Sequence, residues 1–88
     1  MPIFRLRDGV IFDASDGDGL ILDSEVGEFL TLNQVATLIL ETCLQCDEED
    51  AAVASLEERI DASSEQLREG LASLAQQLGE RGLLANGT

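Results

Sequence analysis

The spacing of hydrophobic and polar residues changes once along this chain, near residue 32. Upstream, short apolar runs are separated by turn-forming residues. Val10-Ile11-Phe12-Asp13-Ala14 reads as a strand, and Ser15-Asp16-Gly17-Asp18-Gly19 supplies the chemistry of a turn. Leu20-Ile21-Leu22-Asp23 is a second strand, Ser24-Glu25-Val26-Gly27 a second turn, and Glu28-Phe29-Leu30-Thr31-Leu32 a third strand. Links this short make neighbouring strands antiparallel, so the pattern predicts a three-stranded meander. Residues 4–7 extend the first strand in this reading.

Downstream, the spacing becomes helical. Asn33 suits an N-cap, and Val35, Ala36, Ile39, Leu40, Cys43 and Leu44 recur at three and four residues. A second helix is expected after Asp47, because Glu48, Glu49 and Asp50 favour the positive end of a helix dipole. It carries Val53, Leu56 and Ile60 inward and breaks at Asp61-Ala62-Ser63. Ser63 with Gln66 has the spacing of a capping box, opening a third helix with the apolar row Leu67, Leu71, Leu74 and Leu78. Gly82 fits the left-handed position after that helix, which makes Leu83 the residue that packs back on Leu78. With all strands before all helices, the expected class is α+β, in one domain spanning residues 1–88. Residues 85–88 read as a frayed tail.

The net charge of −13 narrows the function. The five basic residues, Arg5, Arg7, Arg59, Arg68 and Arg81, are scattered among eighteen carboxylates. Nucleic-acid binding needs basic side chains set against phosphates, and an anionic membrane surface makes the same demand. Both are disfavoured, and a neutral or basic partner is favoured. No apolar run has the ~18 residues of a membrane span, and the first residues lack a signal-peptide core. A cytoplasmic protein with reduced thiols is expected.

Catalytic chemistry is hard to assemble from these residues. With no His, there is no Ser-His or Cys-His pair. Cys43-Leu44-Gln45-Cys46 has redox spacing, but it closes a helix, where the dipole opposes a thiolate. As a zinc half-site it lacks further Cys or His ligands. The loop from Ala14 to Glu25 resembles a calcium loop only in part, since Ala14 offers no ligand oxygen at the first position. In Gly17-Asp18-Gly19, Leu22 stands where a nucleotide-binding pattern needs its third glycine. The reading is therefore a non-enzyme without metal or cofactor.

A three-stranded sheet with helices on one face leaves an edge unpaired, and unpaired edges template further strands. The third strand has no Pro, no Lys and a single charge at its start. Either the chain itself or a second copy covers it, or it accepts a partner strand through backbone hydrogen bonds, with pockets supplying specificity. The leucine row of the third helix is flanked by Arg68 and Ala75 on one side and Gly70 on the other, and small residues there leave room for a groove.

Three pieces of the sequence, taken in order, carry a family resemblance. They are Gly19-Leu20-Ile21-Leu22-Asp23, the step Phe29-x-x-Leu32-Asn33 into a helix, and the closing Leu78-x-x-x-Gly82-Leu83-Leu84. Over residues 10–84 the chain resembles PqqD-like domains, the recognition elements of ribosomally made, modified peptides, and among them the stand-alone leader-binding proteins of lasso-peptide clusters. The resemblance implies a winged helix-turn-helix-like fold that adds a precursor's leader as a strand. It implies peptide contacts from Glu28, Phe29, Leu30 and Thr31, with Leu67, Arg68, Leu71, Leu74 and Ala75 lining the groove. It also implies presentation to a separate cysteine leader peptidase and an ATP-dependent cyclase. Two positions depart from the family pattern. Gly70 stands where many relatives carry Asp, and Leu40 where many carry Trp.

Three other functions share the fold. One is the PqqD role of carrying a quinone-cofactor precursor peptide, another a DNA-binding winged helix, and the third a structural dimerisation module. Charge separates the leading reading from the second of these. Association with a basic leader should be fast at low salt and slow as salt screens the attraction. Stopped-flow rates that ignore ionic strength would contradict this expectation.

Overall fold

In the computed structural model, which describes residues 3–14 and 17–85, strands β1 (Val10–Asp13), β2 (Gly19–Asp23) and β3 (Glu28–Leu32) form an antiparallel meander ordered β1-β2-β3. Helices α1 (Gln34–Gln45), α2 (Glu49–Glu57) and α3 (Ser64–Glu80) follow. This is the α+β order expected. The turn residues Ser15 and Asp16 and the tail beyond Ala85 lie outside the described residues.

Alternation assigns the two faces of the sheet. Val10, Phe12, Ile21, Leu30 and Leu32 turn toward the helices, whereas Ile11, Leu22 and Phe29 pair across the strands as one row on the opposite face. Against the inner face pack Ile39, Leu40 and Cys43 of α1, Ala52, Val53 and Leu56 of α2, and the row Leu67, Leu71, Leu74 and Leu78 of α3. Each large side chain buried here contributes roughly 1.5–3 kcal/mol. Val35 departs from the expected inward set, standing 46% exposed at the start of α1. The second helix also ends earlier than expected, and Ile60 lies in the turn beyond it, its N–H donating to Leu56 O at 2.8 Å.

The helix ends follow local chemistry. Asn33 Oδ1 accepts from the Ala36 N–H at 2.8 Å, and Ser63 and Gln66 complete a reciprocal capping box. At the far end of α3, Gly82 has φ +68°, a conformation that a side chain would strain. Its N–H donates to Gly79 O at 3.1 Å, and that of Leu83 to Leu78 O at 3.0 Å, the paired bonds of a Schellman motif.

Residues 4–7 do not extend β1. Instead they cross the open ends of two helices. The Ile3 and Phe4 N–H groups donate to Cys46 O and Cys43 O of α1, at 2.9 and 3.1 Å. Leu6 forms an isolated bridge with Leu84 beyond α3, and Phe4 is buried in the core. The last carbonyls of a helix lack intrahelical partners, and these N–H groups supply them.

The sheet is pinned to α1 at one polar point. The Gly19 N–H donates to Thr37 Oγ1 at 2.6 Å, and that hydroxyl donates to Asn33 O at 2.7 Å. A β-carbon at Gly19 would fall 2.6 Å from Thr37 Oγ1, so only glycine admits the approach. Thr37→Val keeps the shape but leaves the Gly19 N–H buried and unpaired, and should destabilise the fold by about 1–3 kcal/mol in urea denaturation. Thr37→Ser should retain most of that stability.

Candidate functional site

Among the described residues, no strand pairs with the outer side of β3. Its N–H and C=O groups on that side therefore have no strand partner. Leu32 is buried and Leu30 half-buried, while Glu28, Thr31 and Phe29 are exposed, Phe29 to 66%. An exposed Phe on an edge strand without Lys or Pro leaves little to discourage a further strand.

Beside this edge runs a groove. No Cα of α3 comes within 8 Å of a Cα of β3, although both elements pack on the same core. Two recesses border β3 on this side. The deeper in volume, of about 280 Å³, lies between Thr31, Leu32 and Asn33, the first turn of α1 at Val35 and Ala36, and Gly70, Ser73, Leu74 and Gln77 of α3, and reaches Ile39. The shallower in volume, of about 20 Å³, lies at the start of β3 among Glu28, Phe29, Leu30, Asp23 and, just beyond α3, Arg81 and Leu83. No charged side chain lines the deeper recess, whereas Asp23, Glu28 and Arg81 border the shallower.

The residues singled out from sequence divide in two. Glu28, Phe29, Leu30, Thr31 and Leu74 border the recesses. Leu67, Arg68, Leu71 and Ala75 border neither. Leu67 and Leu71 are buried core residues, and Ala75 packs against the core. Arg68 turns toward α2, where its guanidinium donates to Glu49 Oε2 and Asp50 Oδ1, both at 2.6 Å. The helix has two shoulders. The one bearing Arg68 faces α2, and the one bearing Gly70, Ser73 and Gln77 faces the strand. Periodicity reveals that both shoulders exist but not which neighbour each meets. The missed residues Val35, Ser73 and Gln77 carry no signal of their own. Gly70 does, since a glycine inside a helix costs about 1 kcal/mol relative to Ala, and here it opens the groove wall.

Arg7 sets the position of the shallow end. Its Nε donates to Gly82 O at 2.8 Å, one terminal nitrogen to Glu25 Oε2 at 2.8 Å, and the other to Asp23 Oδ2 at 2.6 Å. The carboxylate of Asp23, only 5% exposed, also accepts from the Glu25 N–H at 3.0 Å, which tightens the β2–β3 turn. The hydrogen bond to Glu25 raises the Arg7 pKa most, helped by the nearby charge of Asp23 and opposed by partial burial. One planar cation thereby joins the end of α3 to the hairpin that carries β3.

The family model described as coenzyme PQQ synthesis protein D (PqqD) matches residues 18–84. A search of curated proteins finds no matching relative. Two solved structures share the fold over 93% of this chain. "Lasso peptide synthetase B1 complexed with the leader peptide" has TM-score 0.80, 26% identity and 96% of its own chain covered. "TbiB1 in Complex with the TbiA(beta) Leader Peptide" has TM-score 0.79, 16% identity and 95% of its chain covered.

The cysteine pair lies away from the groove, at the end of α1. Cys43 is fully buried and Cys46 half-buried, and both thiols are free. Burial chiefly, with the charges of Cys46 and Glu49, pushes the Cys43 pKa from 9.0 up to about 12. A thiol held neutral in this way is a packing group. In the unfolded chain Cys43 releases its proton near its ordinary value, so the stability its burial confers is complete below pH 9. It should decline as pH rises from 9 toward 12, and a Cys43→Ala variant should show a shallower decline of Tm. Thiol labelling at pH 8 should modify Cys43 only after denaturant is added.

Proposed function

Because this chain belongs to the PqqD family, we propose that it binds the leader segment of a ribosomally made precursor peptide, as a strand added to β3 with side chains entering the groove beside α3. The observation that carries this reading is the coincidence of an unpaired edge with a groove free of charged side chains along the same strand. The two solved structures of like fold, both complexes with leader peptides, support it. Backbone pairing supplies affinity without regard to sequence, and the recesses supply selection. The groove contacts are Glu28, Phe29, Leu30, Thr31 and Leu74, joined by Val35, Gly70, Ser73 and Gln77.

The added strand would extend the outward row Ile11–Leu22–Phe29 on one face and fill the recesses on the other. The role is binding rather than catalysis. The bound leader is presented in the cytoplasm to a separate cysteine leader peptidase and an ATP-dependent cyclase, in lasso-peptide maturation. The acidic surface accelerates the approach of a basic leader. The family description itself favours a second reading, the carrying of a quinone-cofactor precursor. Competition between the two kinds of precursor for one protein sample separates them.

Amide hydrogen exchange tests the strand addition. Amides on the outer side of β3 should gain protection when a leader peptide that binds in calorimetry is added, and unchanged β3 exchange with a bound leader would refute pairing there. Val35→Asp probes the groove. The exposed position and the first turn of α1 both tolerate an acid, so the fold should persist. Leader affinity should fall by about tenfold or more in calorimetry, because the charge enters a recess that offers no cationic partner. Unchanged affinity would move the site elsewhere.

A further inference from the structure

We propose that Gly70 sets the size of the side chain this groove accepts, so that the bound strand carries one bulky apolar residue facing the helices next to Leu32. The inference rests on the peptide-binding reading above and adds to it a rule of selection.

The larger recess has no charged lining residue, and the apolar side chains Ile39 and Leu74 that line it are 2% and 3% exposed. An ionised guest side chain would lose hydration there and meet no opposite charge, only neutral groups such as Ser73 and Gln77. The helix wall is lowest at Gly70. A β-carbon at that position would stand 3.1 Å from Ile39 Cδ1, so the inward direction is already filled. A longer side chain at residue 70 would take up space in the recess that Gly70 lines. Gly70 therefore keeps the recess open, and the guest residue takes the volume that a side chain at 70 would hold.

The two recesses also impose a spacing. Residues of a strand that face one side recur every second position, roughly 6.6–7 Å apart. A guest strand on β3 thus sets one inward residue by Leu32, over about 280 Å³, and a neighbouring one by Leu30 and Arg81, over about 20 Å³. A large apolar residue fits the first and a small one the second. Opposite order, or a charge at the first, is rejected.

Selection from a displayed library of random unstructured peptides provides the test. The baits are the wild-type protein, Gly70→Ala, Gly70→Leu and, as a control on the same helix outside the groove, Gly79→Ala, each checked for native circular dichroism. Wild type and Gly79→Ala should enrich Leu, Ile, Met or Phe at one position. Gly70→Leu should shift that position to Gly, Ala or Ser, with other positions unchanged. It should bind a wild-type-selected peptide about tenfold more weakly, and truncating the peptide's bulky residue to Ala should restore binding to Gly70→Leu while weakening it to wild type. Gly70→Ala should fall between, and it decides the matter if Gly70→Leu does not fold. A bulky preference that persists in the Gly70 variants, or truncation that fails to rescue, overturns the size rule and leaves peptide binding standing. Failure of wild type to enrich any peptide overturns the binding reading itself, and the rule with it.

Discussion

Three hydrogen bonds from the guanidinium of Arg7 join the carbonyl that closes α3 to two carboxylates in the β2–β3 turn. Helix and hairpin come from opposite ends of the chain, and without a brace between them the leucine row of α3 could settle closer to β3. The brace holds one end of the helix at a set distance from the strand. Within α3, Gly70 lies against Ile39 of α1. Between the two points α3 and β3 stay apart, and the groove is the space that separates them. Arg suits this position because its planar fork satisfies three acceptors in different directions, which an ammonium on a flexible stem does less well.

That arrangement sets an unpaired strand edge beside an uncharged groove on an acidic domain. A disordered peptide that orders on binding loses backbone entropy of roughly 1–2 kcal/mol per residue. Hydrogen bonds to the edge of β3 offset part of this loss in a way common to all sequences, and burial of apolar side chains in the groove must supply the remainder. Net charge acts at longer range, on the rate of encounter more than on the final contacts.

Most of the fold was legible from local chemistry. The alternating runs became β1 to β3, and Asn33, Ser63 with Gln66, and Gly82 with Leu83 each mark a helix end through bonds between near neighbours. The family resemblance was legible too, and the match over residues 18–84 agrees with it. The candidate site was legible by half. The bareness of β3 follows from its residues and its place last in the meander, both readable along the chain. Which shoulder of α3 faces that strand was not, and the assignment of Arg68 to the groove gave way to its pairing with Glu49 and Asp50.

The division has one physical cause. Caps, turns and periodicities are settled between residues a few positions apart, so the sequence by itself determined the elements, their order and the exposed edge. The rotation of α3 about its axis, the crossing of residues 4–7 over two helix ends and the brace from Arg7 to Gly82 join groups far apart in the chain. Packing of the whole core selects these among locally equal alternatives. Tertiary structure alone therefore decided the depth of the groove, and which of its walls is lowered by a glycine.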